Sequence, residues 1–167
     1  MGSRHIMNKS SIILFFLFVQ SALALPEDAG QPIEIDAYTV IIDEKKGRST
    51  YTGDAKVKQG SLRLNADNVD IFSNQKEVIK VVAKGKGDKP AYYKQSQPNQ
   101  PRFIEATANQ ITYLIKKEFV HLRGRAHLVQ GYDSFSGGTL DYDIKNDKVI
   151  AEKSKDGTER VRFKIKL

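Results

Sequence analysis

The sequence of 167 residues contains no cysteine, no tryptophan and only five prolines. Without cysteine no disulfide can staple the chain, so its stability has to come from burial and backbone pairing. No long apolar run is present either. The one candidate, Ile12 to Val19, is shorter than the roughly 20 residues a membrane-spanning helix needs. Beyond residue 7 the only histidines are His121 and His127, which share the polar parity of one strand-like segment. Six positions apart in a strand they stand about 20 Å from one another, too far to share a metal ion. Asp141 and Asp143 put two carboxylates on one strand face, a spacing that equally serves to decorate a solvated surface. Gly85-Lys86-Gly87 has neither the length nor the hydroxyl of a phosphate-binding loop. Aromatic residues beside basic ones, as single-stranded nucleic acid requires, occur only at Tyr92-Tyr93-Lys94. The residues therefore point to no catalytic site, metal or cofactor, and argue against nucleic-acid binding.

Residues 1–6 read as an expression-tag remnant and residues 7–24 as a secretory signal peptide. Asn8 and Lys9 precede the apolar run, and Ala22-Leu23-Ala24 supplies a small-x-small cleavage site. Residues 25–167 are then expected to form one exported domain in the periplasm, long enough for a core. The formal net charge is +7, of which Arg4 and Lys9 account for two. That balance suits an anionic partner but says nothing about fold.

Apolar residues recur at every second position. Ile33, Ile35 and Ala37 alternate with acids, Tyr51, Gly53, Ala55 and Val57 with polar residues, and Val120, Leu122, Gly124, Ala126 and Leu128 with histidine and arginine. Val161, Phe163, Ile165 and Leu167 do the same against Arg162, Lys164 and Lys166. This period predicts half-buried strands throughout. Turn signals at Glu44–Gly47, Ser73–Gln75, Lys145–Asp147 and Lys155–Gly157 separate them, and Gln95–Pro101 is expected to be an exposed loop.

The chain also repeats itself. A gapless shift of 71 residues brings ten identities into register, among them Gly53 on Gly124, Ala55 on Ala126 and Gln59-Gly60 on Gln130-Gly131. Similar β units stacked side by side follow from this, none of them able to bury its apolar face alone. Small residues at Gly53, Ala55, Gly124, Ala126 and Gly137 would let the sheet bend or let something other than a side chain approach its inner face.

Gln31-Pro-Ile-Glu-Ile-Asp-Ala37, Tyr51-Thr-Gly-Asp-Ala-Lys-Val-Lys-Gln-Gly60 and Leu64-Asn-Ala-Asp-Asn-Val69 closely resemble the OstA-like family of periplasmic lipopolysaccharide-transport proteins. In the second half Ala108–Tyr113, Phe119–Gly124 and Gly138–Tyr142 carry the same resemblance, which extends from Gln31 to Val161. It implies an all-β fold: an incomplete β-jelly roll of about 16 short strands, in two antiparallel sheets facing each other as a V. It implies no enzyme, and an apolar groove that shields the acyl chains of lipid A. Carried over to this chain, the groove residues are Ile33, Ile35, Tyr51, Tyr93, Phe103, Ile111, Tyr113, Ile115, Leu122, Leu140 and Tyr142.

The resemblance further implies head-to-tail self-association through partner edges at Ile33 and Ile35 on one side and Phe163 and Ile165 on the other. The partners would be lipopolysaccharide, the anchored inner-membrane transport subunit and the outer-membrane insertion protein of the same pathway. An end at Leu167, straight after an alternating strand, is expected to leave the second edge bare. Two other readings stand beside this one. The chain could be a related component of the same fold, either an anchored subunit or the N-terminal domain of the insertion protein. In a different class, it could be a periplasmic β-fold hydrolase or lyase acting on an anionic polysaccharide through Asp141 and Asp143.

Overall fold

The computed structural model describes residues 28, 30–74, 77–97 and 102–166. Residues 1–6 and 7–24, expected from the sequence to be a tag remnant and a signal peptide, lie outside them, as does Leu167. The described residues form twelve strands: β1 (Glu34–Asp36), β2 (Thr39–Asp43), β3 (Arg48–Gln59), β4 (Leu62–Asn74), β5 (Glu77–Lys84), β6 (Ala91–Ser96), β7 (Phe103–Ala108), β8 (Gln110–Leu114), β9 (Phe119–Gln130), β10 (Asp133–Asp143), β11 (Lys148–Glu152) and β12 (Arg162–Lys164). A single 3₁₀ turn at Ile115–Lys117 is the only helical element among the described residues.

All pairings are antiparallel, and four long strands change partner half-way. The end of β3 pairs β1 while its start pairs β2. The start of β4 pairs β6 and its end β5. β9 meets β8 with its first half and β7 with its second, and β10 meets β12 and then β11. One continuous hydrogen-bonded network thus folds into two sheets. The first runs β1, β3, β4, β6, β7, β9, β10, β12; the second runs β2, β3, β4, β5, β8, β9, β10, β11. The expected sixteen short strands appear as twelve because β3, β4, β9 and β10 each serve both sheets.

The fold between sheets is made by backbone that ordinary residues avoid. Gly53 and Asp54 have φ of 86° and 46°, and at the repeat-related positions Gly124 and Arg125 have 73° and 49°. Register shifts fall between Thr52 and Ala55 and between Gly137 and Thr139. Consecutive left-handed residues break the ladder and turn the strand. The freed groups find equivalent partners, the Tyr38 amide donating to the Gly53 carbonyl at 3.2 Å and the Asn109 amide to the Gly124 carbonyl at 2.8 Å. The 71-residue repeat is therefore a repeat of backbone geometry. It extends to Gly47 and Glu118, both left-handed, whose carbonyls accept from Ser73 and Ile144.

The core lies between the sheets. The first contributes Val57, Leu62, Leu64, Tyr93, Ile104 and Leu128 together with a run of alanines, and the second contributes Val69, Ile71, Ile111, Val120, Leu122, Leu140 and Tyr142. Their alternation with polar residues is what the period of two requires. Gln95 and Ser96 correct the expected loop, since they continue β6 by pairing Ile104 and Phe103. Gln97 follows them, and residues 98–101 lie outside the described residues.

On the outer face of the second sheet Asp70 is nearly buried. It accepts from Arg48 Nη2 at 2.8 Å and Thr50 Oγ1 at 2.7 Å. Burial pushes its carboxyl up, but these hydrogen bonds and the Arg48 charge outweigh that and hold it below the ordinary carboxylate value. A depressed folded-state pKa stabilises above the unfolded value, and the gain disappears as pH falls through the folded one. Asp70→Asn should therefore lower stability by about 1–3 kcal/mol near neutrality, with the gap closing at strongly acidic pH, as urea denaturation at the two conditions will read. Close packing at the second bend gives another test. A Cβ on Gly138 would clash with the Ser154 backbone nitrogen, whereas one on Gly30 would meet nothing within 4 Å. Gly138→Ala should cost about 1–3 kcal/mol in the same assay and Gly30→Ala far less.

Candidate functional site

The facing inner surfaces of the two sheets form the site, and its character changes along the molecule. At the N-terminal end they leave an apolar cleft. Ile33, Val57, Leu62, Leu64 and Tyr93 line it from the first sheet and Ile71, Val78, Val81, Tyr113 and Ile115 from the second. It encloses about 30 Å³, roughly room for a water molecule or two. Tyr93 and Tyr113 close its inner end edge to face, with ring centroids 6.3 Å apart. Farther along, Ile111, Leu122, Leu140 and Tyr142 are at most 1 % exposed and pack as core.

Of the eleven groove residues read from the sequence, ten are on inner surfaces. Ile33, Tyr113 and Ile115 line the cleft itself, and Ile35 and Tyr51 pack half-buried against the core beside it. Tyr93 belongs to both cleft and core. Phe103 is the exception and corrects the expectation. It is 51 % exposed on the outer face, with the Lys94 ammonium 4.7 Å from its ring centre. The local sequence offers two apolar neighbours, Phe103 and Ile104, and the buried Ala106 and Ala108 decide the parity in favour of Ile104. Val57, Leu62, Leu64 and Ile71 were missed as liners, although their alternation was visible.

Burial at Tyr93, Tyr113 and Tyr142 pushes each phenol up. They stay neutral and act as amphipathic surface. The Tyr93 hydroxyl donates to Gln95 Oε1. Gln95 Nε2 in turn donates to Asp28, which also accepts from the Ser61 amide and hydroxyl at 2.5 and 2.6 Å. This tie holds the segment before β1 to the tip of the first sheet.

The carboxylate pair is used locally. Asp141 contacts His121 across the β9–β10 pairing, and Asp143 accepts from the Asn146 amide and side chain at 3.0 and 2.7 Å, closing a turn. His127 Nδ1 lies 2.9 Å from Ser136 Oγ. Among the described residues no cluster of His, Cys, Asp or Glu could hold a metal ion, and no helix is long and apolar enough to cross a membrane.

Among the described residues each sheet ends on both sides in an edge strand with one open side. β1 and β2 form one end, where Ile33, Tyr38, Val40, Ile41 and Ile42 are exposed. β11 and β12 form the other, where Ile150, Val161, Phe163 and Ile165 are exposed. The sequence-read edge residues Ile33, Phe163 and Ile165 are among them, while Ile35 faces inward opposite Val57.

A family model described as "LptA/(LptD N-terminal domain) LPS transport protein" matches residues 34–148. The chain belongs to this family. Within it, the lipopolysaccharide export system protein LptH of Pseudomonas aeruginosa is 34% identical over 130 residues, 78% of this chain and 73% of that protein. LptA of Escherichia coli K12 is 32% identical over 130 residues, 78% of this chain and 69% of that protein. The crystal structure of LptH, described as the LptA-homologous periplasmic component of the lipopolysaccharide transport device, superposes with a TM-score of 0.75 at 28% identity. That match covers 85% of this chain and all of the chain in that crystal structure. The expected jelly-roll architecture of the family is thereby shown.

The parity of β7 has a measurable consequence. Ile104→Ala removes a residue 4 % exposed and should cost about 2–4 kcal/mol in denaturation. Phe103→Ala should cost less than about 1 kcal/mol, the scale of an exposed cation–π contact.

Proposed function

We propose that this chain is a periplasmic lipopolysaccharide carrier that shields acyl chains between its two sheets and hands them on, without chemistry of its own. The observation that carries this reading is the apolar cleft at the N-terminal end, lined from both sheets and sharing Val57, Leu62, Leu64, Ile71 and Tyr93 with the hydrophobic core. Its small volume means that an acyl chain enters by parting the sheets. The bends are the hinge, and what the sheets give up on parting is apolar packing, which hydrocarbon replaces in kind. About ten methylenes sheltered from water are worth roughly 8 kcal/mol, enough to offset that parting.

The groove set is then Ile33, Ile35, Tyr51, Tyr93, Ile111, Tyr113, Ile115, Leu122, Leu140 and Tyr142, with Val57, Leu62, Leu64 and Ile71 added from the cleft. Residues 7–24 act as the export signal and 25–167 as the carrier domain. Ile33 at one end and Phe163 and Ile165 at the other join copies head to tail, and join the chain to membrane-bound members of its export system. Edge strands with an open side and exposed apolar side chains favour such addition.

A photoreactive residue at Tyr113, inside the cleft, should crosslink to lipopolysaccharide, whereas one at Lys56, on the wet face of β3, should not. Equal labelling at both positions sinks the proposal. Ile33→Asp, shown by circular dichroism to remain folded, should co-purify with at least about tenfold less lipid, because bound hydrocarbon would desolvate a charge on the cleft lining.

A further inference from the structure

At the C-terminal half hydrogen bonds between the tips of the two sheets are added to the apolar core. Asp147 lies in the turn between β10 and β11, at the tip of the second sheet. Its Oδ1 accepts from Gln130 Nε2, at the end of β9 in the first sheet, at 2.7 Å. The same oxygen accepts from the Tyr142 hydroxyl at 3.0 Å and from Gln97 Nε2, just beyond β6, at 3.4 Å. Gln97 Nε2 is also 3.2 Å from the Tyr142 hydroxyl oxygen. Three of the four side chains are nearly buried, Tyr142 at 1 %, Gln97 at 7 % and Gln130 at 9 % exposed. Gln97 Oε1 is buried and has no hydrogen-bond partner among the described residues.

The internal repeat shows that this network is particular to one half. In the 71-residue register Tyr142 falls on Ile71, Asp147 on Lys76 and Gln130 on Gln59. Gln59 Nε2 donates instead to the Gln31 carbonyl at 3.1 Å, toward the N-terminal edge, and Ile71 lines the apolar cleft. Equivalent places in one fold are thus a greasy opening in the first half and a polar bridge in the second.

We propose that Gln97, Gln130, Tyr142 and Asp147 form a clasp that closes the C-terminal half of the groove, and that an acyl chain advances beside Phe135 only when the clasp opens. The inference rests on the reading of the groove as the lipid site and adds a direction to it. Parting the sheets at the N-terminal end breaks non-directional contacts that hydrocarbon restores. Parting them at the clasp breaks directional bonds that hydrocarbon cannot restore, leaving the Gln97 and Gln130 amides to be satisfied by water while Tyr142 keeps its bond to Asp147. The Gln97 side-chain carbonyl, without a partner among the described residues, makes the clasp releasable, because opening exposes that oxygen to water.

The chain has no cysteine, so Gln130→Cys with Asp147→Cys supplies the only two thiols, which a short reducible bis-methanethiosulfonate bridge can join. A benzoylphenylalanine at Tyr113 reports on the cleft and one at the half-buried Phe135 reports beyond the clasp. Purified lipopolysaccharide is the probe. With the bridge in place, labelling at Tyr113 should persist and labelling at Phe135 should fall about tenfold, a free-energy difference of about 1.4 kcal/mol, returning on reduction. Equal labelling at Phe135 before and after reduction overturns the clasp. No labelling at either position in the folded, unbridged protein overturns the groove reading itself. Asp147→Ala, with no thiols present, should raise labelling at Phe135 and leave Tyr113 unchanged. An unchanged Phe135 signal in that variant also counts against the clasp.

Discussion

Everything in this molecule depends on four strands turning a corner without ending. β3, β4, β9 and β10 carry hydrogen bonds in both sheets, so the two inner faces are built from the same chain segments. The turn in β3 and in β9 is made by two successive left-handed residues, one a glycine, at positions 71 apart. Left-handed backbone costs a non-glycine residue of the order of 1 kcal/mol. Asp54 and Arg125 carry that cost, and their neighbours contribute the compensating carbonyl contacts to Tyr38 and Asn109. Had these strands stayed straight, the alternating pattern would have produced one flat sheet with an uncovered apolar face.

Placing the apolar faces opposite each other creates an interior that need not be equally firm throughout. Where both sheets offer aliphatic side chains, around Ile33, Ile71 and Ile115, cohesion is non-directional and a guest of the same chemistry can substitute for it. Where Gln130 and Asp147 meet, cohesion depends on geometry. The aromatic contact of Tyr93 with Tyr113 sits between the two regimes. A lipid carrier needs this gradation, because a groove equally open everywhere would expose apolar surface to water at rest.

Much of this could be read from the chain. Period-two alternation gave the strands, glycines at equivalent places gave the bends, and motifs such as Gln31–Ala37 and Tyr51–Gly60 gave the family, though its expected sixteen or so short strands are twelve here because four serve both sheets. What could not be read depended on contacts between distant residues. Phe103 and Ile104 are indistinguishable by hydrophobicity, and only the pairing of β7 with β6 and β9 turns one outward. Gln97, Gln130 and Asp147 look like ordinary loop and strand-end residues, because nothing local says that the tips of two sheets will bring them within hydrogen-bonding distance. The expected loop at Gln95 likewise yielded to cross-strand pairing, which overrides local polarity.

The two-strand ends have a geometric meaning of their own. A single unpaired strand lets a neighbour add at several registers and swivel about one line of hydrogen bonds. Here β1 and β2 on one side, and β11 and β12 on the other, lie in different planes because the bend separates them. A neighbour that pairs with both is held in translation and in rotation at once, like a key with two bits. Repeated addition at such an end would turn each copy by a constant angle, so the stiffness and pitch of the array would be inherited from the bend inside a single copy.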